Sequence, residues 1–295
     1  MRLGTACLVD TSTLLLEIVF TTSCGPGDGS ITNPMFELSI VIPIHNESRN
    51  IIRTLQELND NVRVTHEIIC VYDFDEDTTI PVIQELMTTY DNLRSVKNII
   101  ALGPSGALRT GFLESCAPYV LVVMADLCDD FSQISTLLSL VGEGAVDIVS
   151  PSRYCKGGEQ RLDNATKAFL PRAAGRLLKF FCDIGTLDPT NSYKLYSKRV
   201  LEHLRLSSTV SFSVTLEIVA KAHCLGYRIA EVPTVWKDRV FGQSGFNVLR
   251  SVPAYLKWFS LSLLNNRLFV LPNTWFRYLF CLETDNSSIR EIKSD

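Results

Sequence analysis

The chain has 295 residues, 28 Lys+Arg against 32 Asp+Glu and a net charge of −4, with 46% hydrophobic and 9% aromatic residues. That composition excludes a disordered or fibrous chain, and its mild acidity argues against a nucleic-acid partner. The longest stretch without Asp, Glu, Lys or Arg is the twelve residues Phe131 to Gly142, against the roughly 18 to 20 that a membrane-spanning helix needs.

Residues 1–36 show no period. Asp10 and Glu17 interrupt an apolar start, and Gly25-Pro26-Gly27-Asp28-Gly29 reads as linker, so a disordered extension is expected rather than a targeting peptide. From Glu37 the pattern changes. Leu38 to Ile44 is a short apolar run rich in β-branched residues, and Ser48 to Leu58 places Ile51, Ile52, Leu55 and Leu58 on one helical face. The alternation repeats with strands at 67–72, 96–102, 119–125 and 146–150 and helices near 80–90, 106–116 and 131–141. Continuous apolar strands separated by helices predict an α/β fold with a mainly parallel sheet covered on both faces. Beyond Ser150 a helix is expected over 164–182, a strand over 191–196, a helix over 210–225, a strand over 227–232 and helices within 246–264. No linker interrupts residues 37–265, which read as one domain, followed by a C-terminal aromatic and basic segment over 266–295.

Charge is divided unevenly along the chain. Residues 1–163 hold 10 Lys+Arg against 22 Asp+Glu, and residues 164–295 hold 18 against 10. Nine scattered cysteines, with no CxxC pair and no His at ligand spacing, predict reduced thiols, a cytoplasmic location and no zinc site.

In parallel sheets ligands bind beyond the carboxyl ends of the strands, so the residues there carry the functional argument. After the first strand, Pro43-Ile44-His45-Asn46-Glu47 lacks a dinucleotide-binding glycine pattern. It offers polar groups for a ribose or base, or a helix start capped by Asn46 or Ser48. After the second, Asp73, Asp75, Glu76 and Asp77 repel one another and call for compensation, with Asp73 closest to the sheet. Asp77 or Thr78 also suits a cap of the next helix. The fourth strand ends in Asp126, with Asp129 and Asp130 close behind, a set suited to a hard divalent cation or, for the latter two, to helix capping. The fifth is followed by Ser152-Arg153-Tyr154-Cys155-Lys156-Gly157-Gly158, a basic loop suited to phosphate.

Taken together, Ser39 to Glu47, Glu67 to Asp73 with Asp77, Ala125-Asp126-Leu127, Ser152-Arg153-Tyr154 with Lys156-Gly157-Gly158, and Glu231-Val232-Pro233 resemble family 2 of the inverting glycosyltransferases, in particular its dolichyl-phosphate mannose synthase branch. The likeness runs in consistent order over roughly residues 37–262. It implies a GT-A fold, a hexosyltransferase activity, a nucleotide-sugar donor, and Mg²⁺ or Mn²⁺. By the resemblance, Pro43, His45, Glu47 and Asp73 fall where the family contacts base and ribose. Asp126 matches the second Asp of an Asp-Ala-Asp metal motif, and Arg153 matches a phosphate-facing Arg. Asp188-Pro189-Thr190-Asn191-Ser192-Tyr193 looks like an acceptor-side Asp-x-Thr-Ser-Gly-Phe segment, making Asp188 the candidate general base for a hydroxyl acceptor. Gly242 to Phe246 resembles a Gly-x-Ser-Lys loop over the diphosphate. Met124 stands where the first metal Asp is usual, Tyr72 where one of a pair of acids is usual, and Gly245 where a Lys is common. Asp129 and Asp130 are the candidates for supplying the missing carboxylate, with Asp129 taken as the metal ligand beside Asp126. The rival reading is a nucleotide-binding pseudoenzyme or interaction protein on the same fold.

The acceptor implied is a polyprenyl phosphate or a saccharide. Residues 252–280 hold eight aromatics and three cations with no acid, and Asn164 to Cys182 places Arg172, Arg176 and Lys179 on one helical face and Leu170, Ala174, Leu177, Leu178 and Phe181 on another. Both suit peripheral contact with the cytoplasmic face of a membrane, or equally core packing with solvated basic rims or a subunit interface.

Overall fold

The computed structural model of the chain describes residues 36–142, 144–161, 166–239 and 248–264. The N-terminal extension expected over 1–36, the loop at 242–246 and the aromatic segment beyond 264 lie outside these, apart from Phe36.

Strands β1 (Leu38–Pro43), β2 (His66–Tyr72), β3 (Leu93–Lys97), β4 (Tyr119–Val122), β5 (Ile148–Ser152), β7 (Lys194–Ser197) and β8 (Ile229–Pro233) form one sheet in the order β3-β2-β1-β4-β7-β5-β8. β6 (Glu159–Arg161) and β9 (Val235–Lys237) pair separately. Every pairing in the large sheet is parallel except those of β7, which runs against both β4 and β5. The helices are α1 (Ile51–Asn61), α2 (Thr79–Leu86), α3 (Pro104–Glu114), α4 (Ile134–Gly142), α5 (Thr166–Cys182), α6 (Lys198–His203), α7 (Ser213–Cys224) and α8 (Val248–Leu264).

The alternation of β1 assigns the layers. Leu38, Ile40 and Ile42 pack with Ile51, Leu55 and Leu58 of α1, Ile83 of α2 and Leu137 and Val141 of α4. On the other face Val41 packs with Leu108 and Phe112 of α3, Val200 of α6, and Val214 and Ile218 of α7. Period-2 strands thus meet amphipathic helices on both faces, as a buried parallel sheet requires. Helix α3 comes close enough to β1 that a methyl at Gly111 would lie 2.2 Å from Val41 Cγ1. A third cluster, Leu178 and Cys182 of α5, Ile184, Leu216 and Val219 of α7 and Trp258 of α8, joins α5 and α8 to the body.

Two sequence expectations are corrected. The third strand occupies 93–97, not 96–102: the last bond to β2 is from the Asn98 N–H to the Tyr72 carbonyl, the Asn98 side chain turns to Asp73, and the apolar Ile99 and Leu102 beyond it are solvent-exposed. The strand expected over 191–196 is antiparallel β7 at 194–197. Its entry lies at the edge where its antiparallel neighbours β4 and β5 have their exits.

Candidate active site

The exits of β1 and β2 are stitched together by main-chain donors. Asn46, at a φ of 56°, donates its N–H to Asp77 Oδ2 at 3.0 Å and accepts from Thr78 N–H on Oδ1 at 3.1 Å, while Glu47 N–H donates to Thr79 Oγ1 at 2.9 Å. Asn tolerates this left-handed conformation better than most residues, which explains its use here. Asp77 is buried, and its Oδ1 accepts the Thr79 N–H at 2.8 Å, so it is spent on shaping the loop. Neither Asn46 nor Ser48 caps α1; the capping position is Asn50. Asp73 is also held: its Oδ1 accepts from Asn98 Nδ2 at 2.7 Å and its Oδ2 from Gly103 N–H at 2.8 Å. Beside it the exposed His45 ring meets Phe74 edge-on, centroids 5.3 Å apart. Two aromatic rings, a fixed carboxylate and Glu47 thus stand past the exits of β1 and β2, groups able to stack on a flat ring and to hydrogen-bond hydroxyls. Pro43 is buried as the last residue of β1.

Past β4 the chain turns at Leu127, at a φ of 60°, a conformation that costs a branched residue on the order of 1 kcal/mol. The turn lets Cys128 N–H donate to Asp126 Oδ1 at 3.2 Å. Asp126 Oδ2 pairs with Arg239 Nη2 at 2.9 Å, and Arg239 Nη1 lies 3.8 Å from Glu47 Oε1. Asp129 is buried, and its Oδ2 has no hydrogen-bond partner. Burial, with Asp126 adding to it, pushes this carboxyl up to about 8. Asp130 accepts from Ser132 N–H at 3.1 Å and so caps the 3-10 turn at Phe131–Gln133. An orphaned buried carboxylate oxygen next to a second acid is the chemistry of a site suited to a divalent cation, which would restore the ionised form of Asp129. Among the described residues no group of three His, Cys, Asp or Glu is clustered for a metal. The residues therefore fit a cation with few protein ligands, the remainder coming from diphosphate oxygens and water.

The third side of the site lies across β5 and β7. Arg153 donates its main-chain N–H (3.1 Å) and Nε (2.6 Å) to Asp188 Oδ2 and its Nη2 (2.8 Å) to Oδ1. Asp188 is fully buried. Burial raises its carboxyl, but Arg153 and then Lys194 outweigh this and hold it below the ordinary carboxylate value. An enclosed carboxylate with both oxygens on a guanidinium cannot reach an acceptor hydroxyl without breaking that pair, so the geometry disfavours Asp188 as a general base and makes it the group that fixes Arg153. Lys194, also fully buried, donates to the carbonyls of Asp188 (3.1 Å) and Asn191, and burial lowers its ammonium to about 7 against the pull of Asp188. Glu231 Oε1 accepts from Thr186 Oγ1 at 3.0 Å and from Leu187 N–H at 2.5 Å. Helix α5 crosses the same loop so closely that a methyl at Gly175 would lie 1.9 Å from the Leu187 carbonyl oxygen. The Tyr154 ring takes Arg153 and Arg172 of α5, each guanidinium 5.1 Å from its centroid.

Thus His45, Glu47, Asp73, Asp126, Asp129, Arg153 and Asp188 come to one edge of the sheet. Sequence reasoning missed Arg239, Lys194 and Phe74 as members. Arg239 had a signal, a basic residue three positions ahead of the Gly-Gln-Ser-Gly segment that starts at Gly242. Lys194 gave none, because only the reversed strand brings it there.

Three comparisons bear on this arrangement. The family model described as glycosyl transferase family 2 matches residues 39–205. Glycosyltransferase AglD of Haloferax volcanii is 25% identical over 224 residues, 73% of this chain but 35% of that protein, so the chain spans about a third of its length. Polyprenol monophosphomannose synthase of Mycolicibacterium smegmatis is 25% identical over 240 residues, 78% of this chain and 90% of that one. Glucosyl-3-phosphoglycerate synthase from Mycobacterium tuberculosis, solved with Mn²⁺, UDP and glucosyl-3-phosphoglycerate, superposes with a TM-score of 0.57 at 17% identity over 80% of this chain and 82% of that one. The same enzyme solved with Mg²⁺ and UDP gives 0.56 at 16% identity over 80% and 81%. The family match, which covers more than half of the chain, establishes that the chain belongs to glycosyl transferase family 2.

Proposed function

We propose that this glycosyltransferase moves a hexose from a nucleoside-diphosphate sugar, with inversion, to a polyprenyl phosphate at a membrane surface. The observation that carries the reading is the convergence of Asp126, the orphaned Asp129 and the Arg153–Asp188 pair at one sheet edge, beside the His45, Phe74 and Asp73 rim. Likeness to a polyprenol monophosphomannose synthase over nine-tenths of that protein supports the acceptor class.

In this reading His45 and Phe74 flank the base while Asp73 and Glu47 take ribose hydroxyls. Asp126 and Asp129 hold Mg²⁺ or Mn²⁺, which when bound offsets the charge that builds on the leaving diphosphate. Arg153, fixed by Asp188, presents a preorganised positive charge to the phosphate groups. A phosphate acceptor is already ionised at neutral pH, so attack on the anomeric carbon needs no general base, consistent with an Asp188 that is committed elsewhere. Catalysis then rests on positioning and electrostatics.

The outer faces of α5 and α8 support peripheral membrane contact. Leu177, Phe180 and Phe181 are 46%, 82% and 42% exposed and Leu256 is 54% exposed, alongside Arg172, Arg176 and Lys257. Among the described residues no helix is long and apolar enough to cross a bilayer. Aromatic and basic side chains on one surface suit an anionic interface.

A panel of UDP- and GDP-sugars, monitored for nucleoside diphosphate release with and without polyprenyl phosphate, tests the activity. One donor is expected to turn over only with the lipid, and Asp126→Ala is expected to abolish that turnover. Normal release by the variant rejects the site, and no turnover of any donor rejects the reading.

A further inference from the structure

Arg239 follows β9 and reaches back across the donor side of the site. Its side chain is 22% exposed, and the Asp126 and Glu47 side chains it meets are 10% and 17% exposed. These carboxylates stand past the exits of β1 and β4, which are neighbours in the sheet. One guanidinium therefore spans the acid proposed for the ribose and the acid proposed for the cation.

The geometry has a consequence for metal binding. Asp126 Oδ1 accepts the Cys128 N–H, and Oδ2 has a guanidinium nitrogen at 2.9 Å. A divalent cation takes oxygen ligands at roughly 2.0 to 2.6 Å. At Oδ2 it would lie against a like charge only a few ångströms away, in a partly buried site where such repulsion is weakly screened. Arg239 must then leave Asp126, and moving it requires an anion to receive it. A nucleoside diphosphate, with its several charged oxygens, is the anion that the proposed reaction brings to this edge.

We infer that Arg239 is a built-in competitor for the divalent cation, so that the protein without nucleotide binds the cation weakly and a nucleoside diphosphate strengthens binding by drawing Arg239 off Asp126. The inference rests on the metal reading of Asp126 given above. Coupling between the two ligands is reciprocal, and couplings of this kind span about 5- to 150-fold. A cation that bridges to the diphosphate would also bind more tightly with nucleotide. Cooperativity alone is thus not diagnostic; the diagnostic quantity is cation affinity in the absence of nucleotide.

The experiment titrates the full chain with Mn²⁺ alone, following the free aquo ion by electron paramagnetic resonance, and repeats it with UDP and with GDP. Arg239→Gln keeps the length and polarity of the side chain and removes the charge. It is expected to bind Mn²⁺ alone about tenfold more tightly than the wild type, and to gain less from nucleotide. Arg239→Lys, with its charge kept but its fork lost, is expected to fall between the two. Thermal unfolding checks that both variants are folded. Folded Arg239→Gln and Arg239→Lys proteins that bind Mn²⁺ no more tightly than the wild type, while the wild type binds it with UDP or GDP, overturn the competition and leave the metal reading intact. A wild type that takes up no Mn²⁺ with either nucleotide, like an Asp126→Asn variant that binds it normally, overturns the metal reading and the competition with it.

Discussion

Replacing Asp188 by Asn separates its two possible roles. The carboxylate accepts three hydrogen bonds from Arg153, two on Oδ2 and one on Oδ1, within a fully buried pocket. An amide of the same shape can offer its oxygen to only one side of the guanidinium and turns an NH₂ toward the other, so the cation is left buried and partly unpaired. Breaking a buried pair from one side costs about 3 to 5 kcal/mol, which in a domain of this size lowers the unfolding midpoint by roughly 6 to 20 °C. Arg153→Met is expected to be comparably harmful, because it strands the carboxylate. The double variant Arg153→Met/Asp188→Asn removes both charges and is expected to recover about 2 to 3 kcal/mol relative to the sum of the singles. Urea and thermal unfolding of the four proteins measure this directly. A general base, by contrast, would leave stability untouched and lose about 10²- to 10⁴-fold in turnover. An Asp188→Asn protein with an unchanged midpoint and a rate loss of that size refutes the positioning role.

Three further outcomes are expected. Gly175→Ala pushes α5 away from the Leu187 carbonyl and is expected to cost about 1 to 3 kcal/mol by overpacking, read as a lower unfolding midpoint in urea. Lys194, faced by Asp188, Asp129, Glu231 and Arg153, is lowered to about 7 by burial from an ordinary value near 10. The unfolded chain therefore binds more protons between those pH values and this group makes stability rise from about pH 7 to about pH 10; Lys194→Met should flatten that rise in pH-dependent unfolding. Exchanging Leu177 and Phe180 for Ser should reduce co-sedimentation with phosphatidylserine vesicles several-fold and leave the unfolding free energy within about 0.5 kcal/mol, since both side chains are exposed.

The donor side of the fold was legible because each of its signals is local. Apolar runs and amphipathic helices alternate from Leu38 onward, and strand exits follow directly from strand positions, which placed His45, Asp73 and Asp126 correctly at the sheet edge. The third strand was misplaced because Ile99 and Leu102 extend an apolar run past Asn98, whose N–H makes the last bond to β2. The acceptor side was less legible for a topological reason. In β7 the functional residues precede the strand, and Lys194 opens it, so a search beyond carboxyl ends passes over them. The role of Asp188 turns on a partner 35 positions away, Arg153, whose fork geometry no spacing rule reveals. Arg239 was passed over because its proximity to Asp126, 113 positions away, depends on how β9 lies against the turn at Cys128, where the Lys237 N–H bonds the Cys128 carbonyl.

The backward course of β7 also bears on the order in which the molecule is assembled. Leu38 pairs with His66 in the donor half of the sheet, a short closure. Tyr119 must wait for Ser197, and Ile148 for Ile229, before the other half can close. Longer closures are slower, and a chain emerging from the ribosome meets its early partners first. The β1–β2–β3 unit can therefore form while the segment that holds Arg153 still lacks Asp188 and Lys194. On this ordering the charged groups at the acceptor edge are solvated until late in folding, and their desolvation coincides with the docking of β7 between β4 and β5.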